Sequence, residues 1–522
     1  MARLSRGQKK WLTGRFGERV SFRKTERKLY GHDIASMPNL FKPLIGNTTP
    51  EAVVQPLNEE EVVDLVRWAR SEGVVLTPRG KASSGYGGVI PTRGGIVVDF
   101  YWMKQIVDVD AEALTATVEA GVVWDKLDRE LAKHGLTLRL YPTSYPSSTA
   151  GGWLAQGGVG IGSFEFGWYR ENVLSARVVL PTGETREFTG EDLDIVADAE
   201  GITGFITQVR VKVQVLEPLE VVAVSSPTAK DMAALFRAVI DAEIPIWSLL
   251  FINPKMAELK NSAPPMMHHG QPAEERIPLP VSYISTIAFR KKDLEAVMSK
   301  LPEIVTASRS RILSEAIANH EWENRFRFMV VKRLGPSLVP SEVVVPLAGL
   351  SDTLAEIEEK IDQPVVKEGV IIPRGRGGKP EAVILGFIPS DQRKLAYNFI
   401  FGLVLTVVKI AEKYGGRSYS TGLYFPNKAV DVLGEGRHSR IKTFKREVDP
   451  QNLFNPGKVI GRTLVGRALG IVSGFEPLIR RLGNLVTTEV GERHTAPMRG
   501  IPADVAWYAY SCSQCGYCVD EC

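Results

Sequence analysis

The chain has 522 residues, 44% of them hydrophobic and 24% charged, with a formal net charge of +4. That balance is ordinary for a globular protein and excludes a disordered or fibrous chain, and the length accommodates several domains and a sizeable core. The positive charge is local: the first 28 residues carry ten Lys or Arg against two Glu, so the remainder is net acidic. This basic extension, residues 1–48, reads either as a solvated tail or as a contact for an acidic partner or anionic lipid, the latter making the protein membrane-peripheral. No nucleic-acid-binding motif accompanies it, so a nucleic-acid partner is not expected. The stretch 399–411 is too short and too interrupted to span a bilayer, and the N-terminus lacks an apolar signal core, so the expectation is a soluble, cytoplasmic protein.

Residues 29–33 read L-Y-G-H-D, an aromatic and acidic stretch ahead of the first strand. Asn58 then caps a predicted helix: Glu61 completes a capping-box pattern, and Val62, Leu65, Val66 and Ala69 recur at helical spacing until Gly73 stops it. Residues 76–99 read L-T-P-R-G-K-A-S-S-G-Y-G-G-V-I-P-T-R-G-G-I-V-V-D, a strand, a glycine-rich turn and a strand. Glycine permits positive φ and close backbone approach, and successive amides in such a turn make a concavity of donors suited to phosphate oxygens. Taken alone, the stretch is equally an ordinary surface loop. No G-x-G-x-x-G opens a helix after a strand, and Gly378-Lys379 is followed by Pro380, which rules out a P-loop, so a nicotinamide or ATP site is not supported. Apolar residues alternate with Thr115, Thr117 and Glu119 as in a half-buried strand, and Trp124, Leu127 and Leu131 line one face of a helix ended by Gly135. Residues 141–162 form a second glycine-rich segment, with six glycines in its last twelve positions. A hairpin, N-V-L-S-A-R-V-V-L-P-T-G-E-T-R-E-F, and E-G-I-T-G-F-I-T at 200–207 follow it.

In this order the pieces resemble the FAD-binding domain of the vanillyl-alcohol oxidase and p-cresol methylhydroxylase superfamily, on the branch of glycolate oxidase and D-lactate dehydrogenase flavin subunits. The resemblance covers roughly residues 30–460. It implies that Gly80, Gly85, Gly87 and Gly88 serve the cofactor's phosphates and that Thr143, Ser144, Gly151, Gly152 and Gly158 run beside it, with Glu200, Gly201 and Ile206 closing the site. Some relatives attach flavin through a histidine in the first loop; residues 78–88 contain none, so FAD is expected to be noncovalent, held by amides, by Ser83 and Ser84, and by Arg79. Each of these residues, taken singly, is as well a turn glycine or a buried aliphatic.

From residue 219 the resemblance is to the family's substrate cap. Residues 321–325, E-W-E-N-R, look like its helix bearing a substrate-binding arginine, and residues 341–346, S-E-V-V-V-P, like its cap strand. D-P-Q-N-L-F-N-P-G-K at 449–458 is close to its terminal signature, with Asn455 expected near the flavin edge. Arg325 is the candidate carboxylate anchor, because a guanidinium presents paired donors in carboxylate geometry; its alternative is a surface salt bridge. Where hydroxyacid dehydrogenases of this branch carry histidine motifs, this chain reads V-I-L-G-F-I-P-S-D and G-G-R-S-Y-S-T-G-L-Y-F-P. The expected metal ligands and catalytic histidine are missing, leaving Tyr419, Ser420 and Tyr424 as hydroxyl candidates for orienting substrate or relaying protons, or as ordinary loop tyrosines. The adjacent histidines in P-P-M-M-H-H-G at 264–270 lack a third ligand at a suitable spacing and read as a surface loop.

All four cysteines fall in the last eleven residues, as Cys512, Cys515, Cys518 and Cys522, the spacing of bacterial ferredoxins. Zinc and disulfide pairing are the alternatives, disfavoured by the three-cysteine start and by a chain otherwise free of cysteine. In two-cluster ferredoxins the fourth cysteine of such a run serves the other cluster, so the expectation is that a partner or further sequence completes a [4Fe-4S] relay. The expected class is α+β: a two-subdomain FAD-binding domain of p-cresol methylhydroxylase type (49–218), an α+β FAD-linked oxidase cap (219–460), a tether (461–510) and the start of a ferredoxin-like motif (511–522). The expected function is an FAD-dependent dehydrogenase of a small hydroxy acid-like substrate passing electrons to an iron-sulfur domain or subunit. The alternative is a noncatalytic flavin-binding electron-transfer or assembly subunit; a flavin reductase of cell-wall precursor type is disfavoured by the cysteines.

Overall fold

The computed structural model describes residues 3–486, apart from 36–37, 41, 264–266, 269–270, 273–276, 328–330, 332–336, 392–393 and 462–463. The four cysteines and much of the segment 461–510 lie outside the described residues, as does part of the histidine-containing loop.

The first sheet orders Val20–Ser21, Ala52–Val54, Ile96–Asp99 and Leu76–Arg79 side by side. Its last three strands are parallel, which requires a crossover, and the helix Glu59–Glu72 supplies it. The Asn58 side chain accepts from Glu61 N at 3.0 Å, Gly73 ends the helix at φ +64°, and Val62, Leu65, Val66 and Ala69 are its buried stripe. The predicted capping box closes differently. The Glu61 carboxylate reaches past Asn58 to accept from Leu57 N at 2.8 Å and pairs with Arg19 at 2.5 Å and Arg15 at 3.3 Å. The basic N-terminal residues are therefore partly committed to the first domain. Their helix, Arg6–Phe16, buries Leu12 and Phe16, and Trp11 stacks on Trp68 at 4.6 Å.

The second sheet is antiparallel, in the order Thr185–Thr189, Val173–Val179, Phe205–Val215, Thr115–Glu119 and Ile106–Asp110, with Leu136–Leu138 also pairing with Phe205–Val215. Thr115 and Glu119 are buried as well as the apolar positions between them, so this strand is more enclosed than its alternation suggests. The helix Trp124–Lys133 buries Trp124, Leu127 and Leu131.

A nine-stranded sheet forms the cap, and its strand Glu381–Ser390 is buried along its full length. Two short strands lie against one edge of that strand: Ser337–Pro340 opposite Phe387–Ser390, then Val343–Pro346 opposite Glu381–Ile384. Ser341 and Glu342 occupy the break between them. The long apolar helix Ala396–Lys413 packs on the cap sheet, and no helix of the described residues is long and apolar enough to cross a membrane.

The segment 449–458 returns from the cap to the first sheet. Leu76 N donates to Leu453 O at 2.9 Å and Asn455 N to Leu76 O at 2.8 Å, setting Phe454 beside the edge strand. This return joins the two domains directly under the first glycine-rich loop.

Candidate functional site

Loops from both domains converge on one cavity of about 1540 Å³, its open mouth included. Arg79, Gly80, Ser83, Ser84, Gly85 and Gly88 line it from the first glycine-rich loop. Thr143, Ser144, Gly151 and Gly152 line it from the second, and Glu200, Gly201 and Ile206 from the third. The cap contributes Leu338, Pro340, Glu342, Leu385, Phe387 and Tyr419.

The loops approach closely because side chains are missing where they meet. A Cβ on Gly80 would lie 2.6 Å from Thr149 Oγ1, one on Gly151 2.5 Å from Ala120 Cβ, and one on Gly201, at φ +70°, 2.6 Å from Pro78 Cγ. Gly151 N donates to Ala120 O at 3.0 Å and Gly152 N to Thr149 Oγ1 at 3.2 Å. These two glycines therefore offer a thin wall rather than free amide donors.

Three of the sequence-predicted residues stand behind the wall. The Gly87 N–H is directed at the Asp33 carboxylate, 2.6 Å away, and a Cβ there would meet Leu423 at 2.9 Å rather than open space. Gly158 sits where a Cβ would strike Tyr419 Oη at 2.4 Å and Trp153 Nε1 at 2.7 Å. Asn455, buried at φ +38°, donates through Nδ2 to Gly88 O at 2.8 Å and Glu200 O at 2.6 Å, pinning two cavity loops together from the rear.

The stretch 29–33 supports Arg79. The guanidinium donates to His32 O at 2.9 Å and lies over the Tyr30 ring at 5.0 Å, while Tyr30 Oη donates to Asp99 at 2.8 Å. Burial pushes the Asp33 carboxyl up to about 7 although the Gly87 and Ala35 amides pull it down. Burial also pushes Glu200 up, opposed by Lys458, whose own ammonium burial pushes down while its Nζ donates to Ile90 O at 2.7 Å. Glu200 Oε1 and Ser148 Oγ are buried without a hydrogen-bond partner among the described residues, and both side chains belong to the cavity lining.

Of the proposed catalytic residues, Tyr419 is in the cavity wall. Its hydroxyl accepts from Val159 N at 3.1 Å. Tyr424 is buried away from the cavity against Phe401, with no hydrogen-bond partner for its hydroxyl among the described residues. Arg325 lines a separate pocket of about 420 Å³ with Lys260, Glu321 and Glu368. Its guanidinium lies over Trp322 at 4.4 Å and Phe326 at 4.6 Å, and Phe326 touches Tyr145, next to the cavity-lining Ser144, at 4.4 Å. Arg325 is thus not a surface salt bridge: Nη1 donates to Trp322 O at 2.6 Å and Nε has no partner among the described residues. Among the described residues no cluster of three or more His, Cys, Asp or Glu side chains is placed to hold a metal.

Asp33, Glu342 and Lys458 stand in or behind the cavity wall without a site signal of their own in the sequence. The nearest to one is at Glu342, an acid opening the apolar run V-V-V. Asp33 and Lys458 acquire their roles from partners that only the fold brings near.

The family model described as an FAD binding domain matches residues 50–189, and that of the C-terminal domain of FAD linked oxidases matches residues 216–459. The mitochondrial D-lactate dehydrogenase [cytochrome] of Arabidopsis thaliana is 25% identical over 425 residues, covering 79% of this chain and 73% of that protein. Glycolate oxidase subunit GlcD of Bacillus subtilis is 24% identical over 436 residues, covering 79% and 89%. The crystal structure of p-cresol methylhydroxylase with substrate bound superposes at a TM-score of 0.72 over 88% of this chain and 98% of that one, at 14% identity, a likeness of fold alone.

Proposed function

Because the chain belongs to the FAD-linked oxidases, as an FAD-binding domain of p-cresol methylhydroxylase type followed by their C-terminal domain, we propose that this oxidoreductase oxidises a small 2-hydroxy acid at the cavity between the two domains. It then passes the electrons to an iron-sulfur relay that takes Cys512, Cys515, Cys518 and Cys522 as ligands and is completed by a partner or further sequence. The observation that carries the reading is the convergence of three glycine-thinned loops and the cap sheet on one cavity. The substrate class follows the relatives named for D-lactate and glycolate oxidation.

The residues present fit FAD. Thin walls at Gly80, Gly151 and Gly201 leave space for an extended dinucleotide, and the partnerless Glu200 Oε1 and Ser148 Oγ are polar atoms awaiting a ligand. Arg79, Lys81, Ser83 and Ser84 would hold the dinucleotide from one side and Thr143 and Ser144 from the other, without a histidine or cysteine in the lining. Bound FAD supplies the hydride acceptor. Leu338, Pro340, Leu385 and Phe387 make the cap wall apolar and keep bulk water from the reacting carbon. Tyr419, whose oxygen already accepts from Val159 N, can direct its own O–H toward a substrate oxygen.

Arg325 lies outside the cavity lining, beyond Phe326 and Tyr145, and is proposed as the carboxylate anchor of a substrate that reaches past those rings, on the strength of an Nε without a partner among the described residues and a guanidinium oriented by two rings. Arg325→Lys keeps the charge but loses the planar fork, so affinity for a 2-oxo acid product, read by perturbation of the flavin spectrum, is expected to fall about tenfold or more. An unchanged affinity removes Arg325 from the site.

The electron-relay part rests on cysteine spacing. Anaerobically purified full-length chain is expected to contain iron and acid-labile sulfide that decline when Cys515 is replaced by serine. Iron without sulfide would instead make the cysteines a simple metal site.

A further inference from the structure

Removing two hydrogens from a CH–OH group sends one away as hydride and the other as a proton from oxygen, so the cavity needs a proton acceptor. Among the described residues its titratable lining consists of Asp33, Arg79, Lys81, Glu200, Glu342 and Tyr419. Arg79 and Lys81 are cations. Each Asp33 oxygen is occupied by a backbone donor, Ala35 N at 3.0 Å on one and Gly87 N at 2.6 Å on the other. Glu200 belongs to the first domain's loop closure, where its carboxylate fills the place a Gly88 side chain would take and faces the Lys458 charge. Tyr419 is held protonated by burial. On the cap side one carboxylate remains among the described residues, that of Glu342.

Resting on the functional reading above, we infer that Glu342 is the general base that takes the substrate hydroxyl proton, in a site whose sequence lacks the expected histidine. Glu342 stands in the break between Ser337–Pro340 and Val343–Pro346, among Leu338, Pro340, Leu385, Phe387 and Tyr419. Its backbone is fixed by its own partners: the Glu342 carbonyl accepts from Tyr419 N at 3.2 Å and from Tyr86 Oη at 3.4 Å. The side chain is half-buried, and its open side is the cavity. It has no ion-pair partner among the described residues.

The groups facing it are Tyr86, which lowers its proton affinity by hydrogen bonding, and Tyr419, whose own ionisation it opposes. Farther along the neighbouring strands, Glu381 and Arg417 neutralise one another at 2.6 Å. Burial in this wall raises the carboxyl to about 7, where it can accept a proton in the cavity and release it between turnovers. In the step, the C–H electron pair leaves with its hydrogen as hydride to the flavin-class oxidant. The O–H bond breaks, its proton bonds to a Glu342 carboxylate oxygen, and its electron pair forms the second C–O bond of the 2-oxo acid.

The test uses full-length holoprotein with Glu342→Gln and Glu342→Asp. Both variants are expected to keep wild-type FAD stoichiometry and 2-oxo acid affinity, because the fixed backbone and isosteric amide leave the cavity intact. Anaerobic single-turnover flavin reduction should slow about 100-fold or more in Glu342→Gln and recover partly in Glu342→Asp. The wild-type rate should rise with pH through about 7, since the base acts deprotonated, and that rise should vanish in the Gln variant. Independently of turnover, the infrared carboxylic C=O absorption that titrates near pH 7, to which the buried Asp33 also contributes, should lose the Glu342 component in Glu342→Gln. A Gln variant that reduces flavin within about threefold of wild type, with the same pH profile and the same infrared band, overturns the assignment of Glu342 alone. A wild type whose flavin no 2-hydroxy acid reduces overturns the substrate reading, and this inference with it.

Discussion

Replacing Gly201 by valine is expected to give a folded but colourless protein without FAD. Gly201 has φ +70°, a region costly for a β-branched residue, and a Cβ there would lie 2.6 Å from Cγ of the rigid Pro78 ring. Both residues line the cavity, so relieving the clash must move one glycine-rich loop against another. Gly88→Leu should act similarly, with its Cβ 2.1 Å from Glu200 Oε2 in a loop that Asn455 holds from behind. The obstruction at Gly88 comes from a protein carboxylate, not from the space of a phosphate. Gly14→Ala, on an exposed helix with nothing within 4 Å of the added carbon, serves as the control and should keep stoichiometric FAD. Flavin content after gel filtration, alongside a circular dichroism spectrum, checks the result; stoichiometric FAD in Gly201→Val would place the cofactor elsewhere.

Lys445→Met is expected to cost about 3–5 kcal/mol of stability, because it strands a buried carboxylate. Lys445 and Asp449 form an ion pair with side chains only 6% and 3% exposed, and Lys445 Nζ also donates to Phe454 O at 2.8 Å. Asp449 accepts from Leu453 N at 3.0 Å and Phe454 N at 2.9 Å, so the pair fixes the turn that presents Asn455 to the cavity loops. Urea denaturation should show the loss, and FAD should dissociate at lower urea than in wild type. The exposed pair Lys133–Glu130 provides the contrast: Lys133→Met should leave the urea midpoint essentially unchanged. An unchanged midpoint for Lys445→Met would mean that the return segment does not brace the site.

The sequence announces where the chain turns and which helix faces are apolar, but not which side of a turn meets the cavity. The helix Glu59–Glu72 is legible because Asn58, Gly73 and the stripe of Val62, Leu65, Val66 and Ala69 are local signals. Glu61 carries the same local signal for a capping box, yet its carboxylate serves Arg19, 42 residues away, and Leu57 N. Counting charges at the N-terminus is blind to that pairing. Gly80, Gly151 and Gly201 do line the cavity, whereas Gly87 and Gly158, indistinguishable from them in sequence, support it from behind. Glu342 is not legible in the sequence because an acid in a cavity wall is defined by its surroundings, here a break between two strands that pair with Glu381–Ser390. Arg325 was legible as an arginine on a cap helix, but its seat between Trp322 and Phe326 was not.

The central claim is that FAD held in this cavity is reduced by a 2-hydroxy acid, and anaerobic titration of the purified holoprotein with D- and L-lactate, glycolate and longer 2-hydroxy acids tests it most directly. The predicted result is loss of the visible flavin absorption at one equivalent of a particular acid per FAD, with one equivalent of the matching 2-oxo acid formed. A flavin that is bound stoichiometrically and bleached by dithionite, yet stays oxidised with every acid in the series, would contradict the account.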